Sequence, residues 1–210
     1  MAERSPIRFL LRLLVVLVLV GAVAGCASGS DIAEPAPPPG TAGGPTAVYV
    51  AIGGLETLNS DRDDIQDNWP QIVFAEALPR GAVYVNLATE NATVRSAVDD
   101  QLPQAEALHP TVATVWVEAA DTRLGTSPAS YRTELAQLVG GMQAAGATRV
   151  LLLTSGSSSS DLAGAFADSV AHVATDTGAV FVDLGDTSGR AGDPGQRRIA
   201  DAVMAAMGPG

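Results

Sequence analysis

The 210-residue chain carries 12 basic residues, all arginine, against 23 acidic ones, for a formal net charge of −11. Such a surface repels nucleic acid and anionic lipid headgroups, which argues against nucleic-acid binding. A single cysteine, Cys26, excludes an intrachain disulfide and a thiolate metal cage, and nothing in the sequence implies a cofactor or a metal site.

The chain opens with Arg4, Arg8 and Arg12, an apolar stretch from Leu13 to Val20, and then Gly21-Ala22-Val23-Ala24-Gly25-Cys26. A basic region, an apolar region and small residues before a cleavage point make a secretory signal over residues 1–25. Its ending, Val23-Ala24-Gly25-Cys26, resembles a bacterial lipobox, in which the cysteine is lipidated and becomes the first residue of the mature chain. A transmembrane anchor is the alternative, but the uninterrupted apolar run is short of the ~20 residues a span needs. The expected address is therefore the bacterial cell envelope, extracytoplasmic, with the protein lipid-anchored to the membrane through Cys26. Removing Glu3, Arg4, Arg8 and Arg12 from the totals of 12 and 23 leaves 9 basic and 22 acidic residues, a mature charge of −13. Lipid, not charge, would hold such a protein at the membrane. Residues 26–46 are small, rich in Pro and Gly, and have little to bury, so they read as a disordered tether. Residues 47–210 suffice for one domain of ordinary size with a sizeable core.

Within that domain strand-like and helix-like runs alternate. Val48–Ile52 is the first strand; Trp69–Leu78, with apolar Trp69, Ile72, Val73 and Phe74, is a short helix; Val83–Leu87 is the second strand. Thr93 to about Ala107 reads as helical, interrupted at Pro103, and the apolar, β-branched run Val112–Val117 is the third strand. Ser130–Ala145 has a helical period through Tyr131, Leu135, Leu138 and Met142 and stops at Gly146. Val150–Leu153 is a fully buried fourth strand, Leu162–Ala174 a helix, and Val180–Val182 the fifth strand. The last helix starts at Asp193-Pro194, an N-cap followed by proline, and runs through Ile199, Val203 and Met204. Apolar strands separated by helices imply an α/β fold with a parallel sheet covered on both faces. Such folds bind ligands at the carboxyl ends of their strands.

Those strand ends are acidic and rich in hydroxyls but contain no histidine. After the first strand comes Gly53-Gly54-Leu55-Glu56-Thr57; after the second, Ala88-Thr89-Glu90-Asn91; after the third, Glu118-Ala119-Ala120-Asp121. A serine-rich run, Ser155 to Ser160 around Gly156, follows the fourth strand, and Asp183, Asp186 and Arg190 follow the fifth. The order of elements and these ends resemble the SGNH (GDSL-type) hydrolases, a family of esterases, lipases and acyl transferases. The family's first block reads roughly Gly-Asp-Ser-Leu-Thr, and Gly53-Gly54-Leu55-Glu56-Thr57 fits that frame with Leu55 where the nucleophilic serine would stand. Val85-Asn86-Leu87-Ala88 is similar to the second block, with Ala88 replacing the oxyanion glycine, though its backbone N–H remains a possible donor. "QLPQAEALHPTVATVWVEAAD" resembles the third, with Ala120 in place of the oxyanion asparagine and Asp121 retained. "GDPGQRRIADAV" looks like the last helix, and counting back from Gly195 puts Arg190 at the histidine and Thr187 at the aspartate. The resemblance implies a flavodoxin-like, three-layer αβα fold with a five-stranded parallel sheet ordered 2-1-3-4-5.

It also implies a site that has lost its chemistry. Leu55 cannot attack a carbonyl, and Arg190 is a poor general base because its guanidinium stays protonated. His109, before Pro110, falls at the opposite end of the sheet, and His172 falls within a helix. Two readings follow. The first is a non-catalytic, envelope-anchored module that binds a glycan, lipid or protein partner or has a structural role. The second is an ester or acyl hydrolase with an unconventional site, built on the Ser155 loop or on the carboxylates Glu56, Glu90, Glu118 and Asp121, expected near one another at the rim.

Overall fold

The alternating direction of successive side chains along each strand decides how the layers form. In a computed structural model, which describes residues 45–58, 67–156, 161–185 and 193–208, five strands make one all-parallel sheet in the order β2-β1-β3-β4-β5. They are β1 (Val48–Gly53), β2 (Val83–Asn86), β3 (Val112–Trp116), β4 (Arg149–Thr154) and β5 (Val180–Asp183). The register pairs Val50 with both Val85 and Ala113, Ala113 with Val150, and Leu152 with Phe181. All described residues fall in the unit Gly43–Gly210. The apolar stretch Leu13–Val20, Cys26 and most of the tether lie outside them; among the described residues no helix is long and apolar enough to cross a membrane.

Successive strand residues point to opposite faces. Tyr49, Ala51, Leu151, Leu153 and Val182 pack on one side against Trp69 and Val73 of α2 (Trp69–Ala77) and against Ile199, Ala200 and Val203 of α8 (Asp193–Met207). Val50, Ile52, Val115, Val150 and Leu152 pack on the other. Their partners are Tyr131, Leu135 and Leu138 of α6 (Pro128–Ala144), Phe166 and Val170 of α7 (Asp161–Thr177), and the segment Val94–Leu108. Both faces of the three central strands are thereby covered, which is why those strands are apolar at nearly every position. One helical turn, α1 (Leu55–Leu58), and a seven-residue helix, α5 (Glu118–Leu124), sit directly after β1 and β3. Neither was expected from the sequence.

The segment over Val94–Leu108 differs from the expectation of a helix broken at Pro103. It is continuous: α3 (Val94–Ser96) passes through a π turn, Ala97–Gln101, into α4 (Leu102–Leu108). A proline has no N–H and its ring collides with the carbonyl four residues back, here that of Asp99. The wider turn, in which the Leu102 N–H reaches the Ala97 carbonyl, removes that conflict. Thr93 starts the segment as a capping box with Ser96: the Ser96 N–H donates to Thr93 Oγ1 at 3.1 Å and the Thr93 N–H donates to Ser96 Oγ at 2.9 Å. The extra residue in the turn matters to the site, because it swings Gln101 into the end of β1.

Candidate functional site

The tight turn after β1 is built by a glycine with no room to spare. A Cβ on Gly53 would lie 2.2 Å from Thr57 Oγ1 and 2.8 Å from the Trp116 carbonyl oxygen, so any side chain there pushes α1 off the sheet. Both polar backbone groups of Gly53 are clamped by Gln101, which is 1% exposed. The Gly53 N–H donates to Gln101 Oε1 at 3.1 Å, and Gln101 Nε2 donates to the Gly53 carbonyl and to Thr89 Oγ1, each at 3.2 Å. Asn86, at the end of β2, secures the other side. Its Nδ2 donates to the Thr57 carbonyl at 3.0 Å, and its Oδ1 accepts the Ala88 N–H at 3.0 Å. The expectation that the Ala88 N–H remains a donor for a ligand is thereby corrected: the residue is buried and its N–H is already engaged.

A cavity of about 290 Å³ opens beside this turn at the carboxyl end of the sheet. Its floor and walls are Gly54, Leu55, Ala92, Val117, Ala119 and Ala120. Leu55 is 43% exposed there. Glu56, Glu90, Asn91 and Arg123 supply the polar part of the lining. Arg123 Nη2 donates to Asn91 Oδ1 at 2.6 Å, and Asn91 holds a left-handed backbone (φ 56°) that asparagine tolerates better than most residues. Thus Leu55 and Ala120, positions 65 residues apart in sequence, line one cavity. Ala88 is buried and is not part of the lining, and Arg190 and Thr187 lie outside the described residues, as do Ser157 to Ser160.

The four carboxylates do not form one cluster. Glu56 and Glu90 line the cavity; Glu118 and Asp121 do not. Glu118 is 5% exposed and turned towards the end of β4. Its Oε2 accepts the Thr154 hydroxyl at 2.7 Å, and its Oε1 accepts the Ser155 N–H at 2.5 Å and also the Ser155 hydroxyl. Asp121, one helical turn later, is fully buried, and its Oδ2 accepts the Val94 N–H at 2.7 Å, which ties α5 to the start of α3. Burial raises the Asp121 carboxyl above its ordinary value; the Val94 N–H and the Thr126 hydroxyl lower it, and the charge of Glu134 adds to the rise. Tyr131, buried over both carboxylates, is raised well above the usual phenol value by burial and then by the charges of Glu118 and Asp121. Among the described residues no group of three or more His, Cys, Asp or Glu side chains is arranged to hold a metal ion.

Neither histidine enters this region. His109 caps α4 in a left-handed conformation, with Nδ1 3.4 Å from the Ala145 carbonyl at the amino end of the sheet. His172 lies exposed on α7 with Nδ1 2.7 Å from the Asp168 carbonyl. Sequence reasoning also missed Gln101, the residue that fixes the turn; its only local signal is a polar side chain two residues before a proline that a helix must accommodate.

Turn, sheet order and cavity agree with a match of the sequence to the GDSL-like lipase/acylhydrolase family over residues 40–203. The chain belongs to that family. This GDSL-like family member resembles, among solved structures, TesA (TM-score 0.67, 19% identity, covering 77% of this chain and 98% of that one). It is also similar to a catalytic mutant of Axe2, an acetylxylan esterase from Geobacillus stearothermophilus (0.66, 16%, 80% and 96%). A third likeness is to the psychrotrophic esterase EstA from Pseudoalteromonas sp., inhibited by monoethylphosphonate (0.63, 16%, 77% and 96%). At these identities the likeness is one of fold. No curated protein sequence matches the chain.

Proposed function

We propose that this GDSL-like family member is a cell-envelope lipoprotein whose hydrolase-like domain binds a ligand without catalysing its turnover. The observation that carries the reading is the cavity floor. Leu55 and Ala120 line it where the family resemblance calls for a nucleophilic serine and an oxyanion asparagine, and the Ala88 N–H is taken by Asn86. Loss of one oxyanion donor typically costs ~10²–10³-fold in turnover, and loss of the nucleophile removes the covalent route. Arg190, assigned to the histidine position from the sequence, offers no base either. The partner is an envelope glycan, lipid or protein reached from the membrane through lipid on Cys26.

One observation favours a second reading, an ester hydrolase using Ser155: the Ser155 hydroxyl donates to the buried carboxylate of Glu118. That carboxylate also accepts the Thr154 hydroxyl and the Ser155 N–H, so it serves as a joint between α5 and the end of β4. Turnover of short-chain nitrophenyl and thioester substrates separates the two. The binding reading expects rates at background for the wild type and for Leu55→Ser alone, with a trace gained only when Ala120→Asn and Arg190→His are added. Robust wild-type hydrolysis abolished by Ser155→Ala would establish the second reading instead. For the address, Cys26→Ala should release the protein from membranes and leave the precursor uncleaved; unchanged retention with no mass shift would favour a transmembrane anchor.

A further inference from the structure

Two walls of the cavity are joined through one buried side chain. Residues 90–92 make one wall and run into α3 at Val94; α5 makes the other with Ala119, Ala120 and Arg123. Two side-chain links cross between them. At the surface Arg123 Nη2 donates to Asn91 Oδ1 at 2.6 Å, and in the interior Asp121 Oδ2 accepts the Val94 N–H at 2.7 Å. The exposed link competes with water and adds little, so the buried one decides how firmly the walls are held. The amino end of α5 is tied separately, where Glu118 accepts hydrogen bonds from the end of β4. Asp121 is held on one oxygen only: its Oδ1 is buried and has no hydrogen-bond partner within 3.5 Å among the described residues. The groups around it offer no compensating positive charge. Glu134 on α6 adds a like charge, and Tyr131, buried on α6, lies in the field of both Glu118 and Asp121. Arg95 of α3 is engaged at the surface with Asp99 at 3.0 Å and Glu134 at 3.3 Å. From α7, Phe166, Ser169 and Val170 turn inward, while Asp168, His172 and Asp176 are exposed. An ionised carboxylate with one orphan oxygen is costly in such a setting, and a neutral one much less so.

We propose that Asp121 is a proton-operated latch on the cavity: with its proton in place α5 stays docked against the start of α3, and loss of that proton to solvent frees α5 from Val94. The helix then swings about its Glu118 end and widens the space between Ala120 and Ala92. Burial sets the direction, because the closed state holds the proton more tightly than the opened one. The latch is firm at low pH and weakens as pH rises from the ordinary carboxylate range through the closed-state value. This device concerns the walls alone and is independent of whether the cavity turns over a substrate.

Hydrogen exchange of the purified full chain tests this, read at single amides by NMR over a pH series and corrected for the intrinsic pH dependence of exchange. The amides of Val94 and of residues 119–122 should lose protection as pH rises, by up to about tenfold per pH unit, the slope that one proton sets. At every pH they should exchange through a smaller opening than Leu135 and Leu138 of α6, which report unfolding of the whole domain. Asp121→Asn, whose neutral side chain can still accept the Val94 N–H, should keep these amides protected across the series. A carbon-13 titration of the Asp121 carboxyl in the wild type should share its midpoint with the loss of protection, a comparison that needs no variant. The proposal is overturned if protection does not change with pH, if the slope survives Asp121→Asn, or if Asp121 titrates at or below the ordinary carboxylate value. It is overturned as well if α5 opens only together with α6, which would make Asp121 a structural carboxyl and nothing more.

Discussion

Two pairs of carboxylates follow the carboxyl ends of the first three strands, Glu56 after β1 and Glu90 after β2, Glu118 and Asp121 after β3, and they behave oppositely. Glu118 and Asp121 are buried, accept hydrogen bonds from three backbone or side-chain groups at β4 and from the first N–H of α3, and are not part of the lining of this cavity. Glu56 and Glu90 line the cavity beside an exposed leucine. The contrast teaches that the polar groups kept inside the domain are those that join one loop to the next. The groups facing the cavity include Leu55 and Ala120, with Glu56 and Glu90 around them. Residue type alone does not separate these roles. Burial and partners do.

The comparison breaks most visibly at Glu118. Glu118→Ala should destabilise the domain by about 3 kcal/mol, because it leaves the Thr154 hydroxyl and the Ser155 N–H without their buried charged acceptor. Urea unfolding at neutral pH reads this directly, and a loss below about 1 kcal/mol would mean that the carboxylate is not a joint. Gln101→Leu comes next, at about 2 kcal/mol, since the Gly53 N–H loses its acceptor in a dry site. Hydrogen exchange should then quicken at Gly53 and around Thr89 before it does in α6.

The effect at Asp121 is smaller and has a sign. Its carboxyl is raised above the ordinary 3.8, so the folded state holds that proton more tightly than the unfolded chain does. Stability from this group is therefore present at low pH and is lost as pH rises from the ordinary carboxylate range through the folded value. Asp121→Asn should flatten that part of the stability–pH curve relative to wild type; parallel curves would contradict the assignment. Smallest of all, Glu56→Gln should change stability by no more than about 0.5 kcal/mol, as expected of a side chain with no partner among the described residues. A large loss would make Glu56 a structural group like Glu118.

Much of the fold was legible before the structure. Five apolar runs fell on the five strands because a sheet covered on both faces needs apolar residues at consecutive positions. The strand order came from the family resemblance, not from periodicity. The π turn was not legible, since Pro103 reads locally as a break and only the packing of Val94, Val98 and Leu102 on one side of the sheet forces the helix to continue. Helix α5 was hidden because seven residues, Glu118–Leu124, carry too little periodicity to register, and with it went the pairing of Glu118 and Asp121 on one turn. The site was half legible. Leu55 and Ala120 were named from the sequence, and they do share one cavity. The division of the carboxylates depends on which of them the sheet buries, and no local spacing encodes that.

The central proposal is that no hydroxyl at the strand ends acts as a nucleophile. Intact-mass spectrometry of the full chain after exposure to a fluorophosphonate serine probe tests it most directly. The account predicts no adduct at any probe concentration that fully labels an active serine esterase run alongside. A stoichiometric adduct mapped to Ser155, lost in Ser155→Ala, would contradict it and put catalysis on the hydroxyl that Glu118 holds.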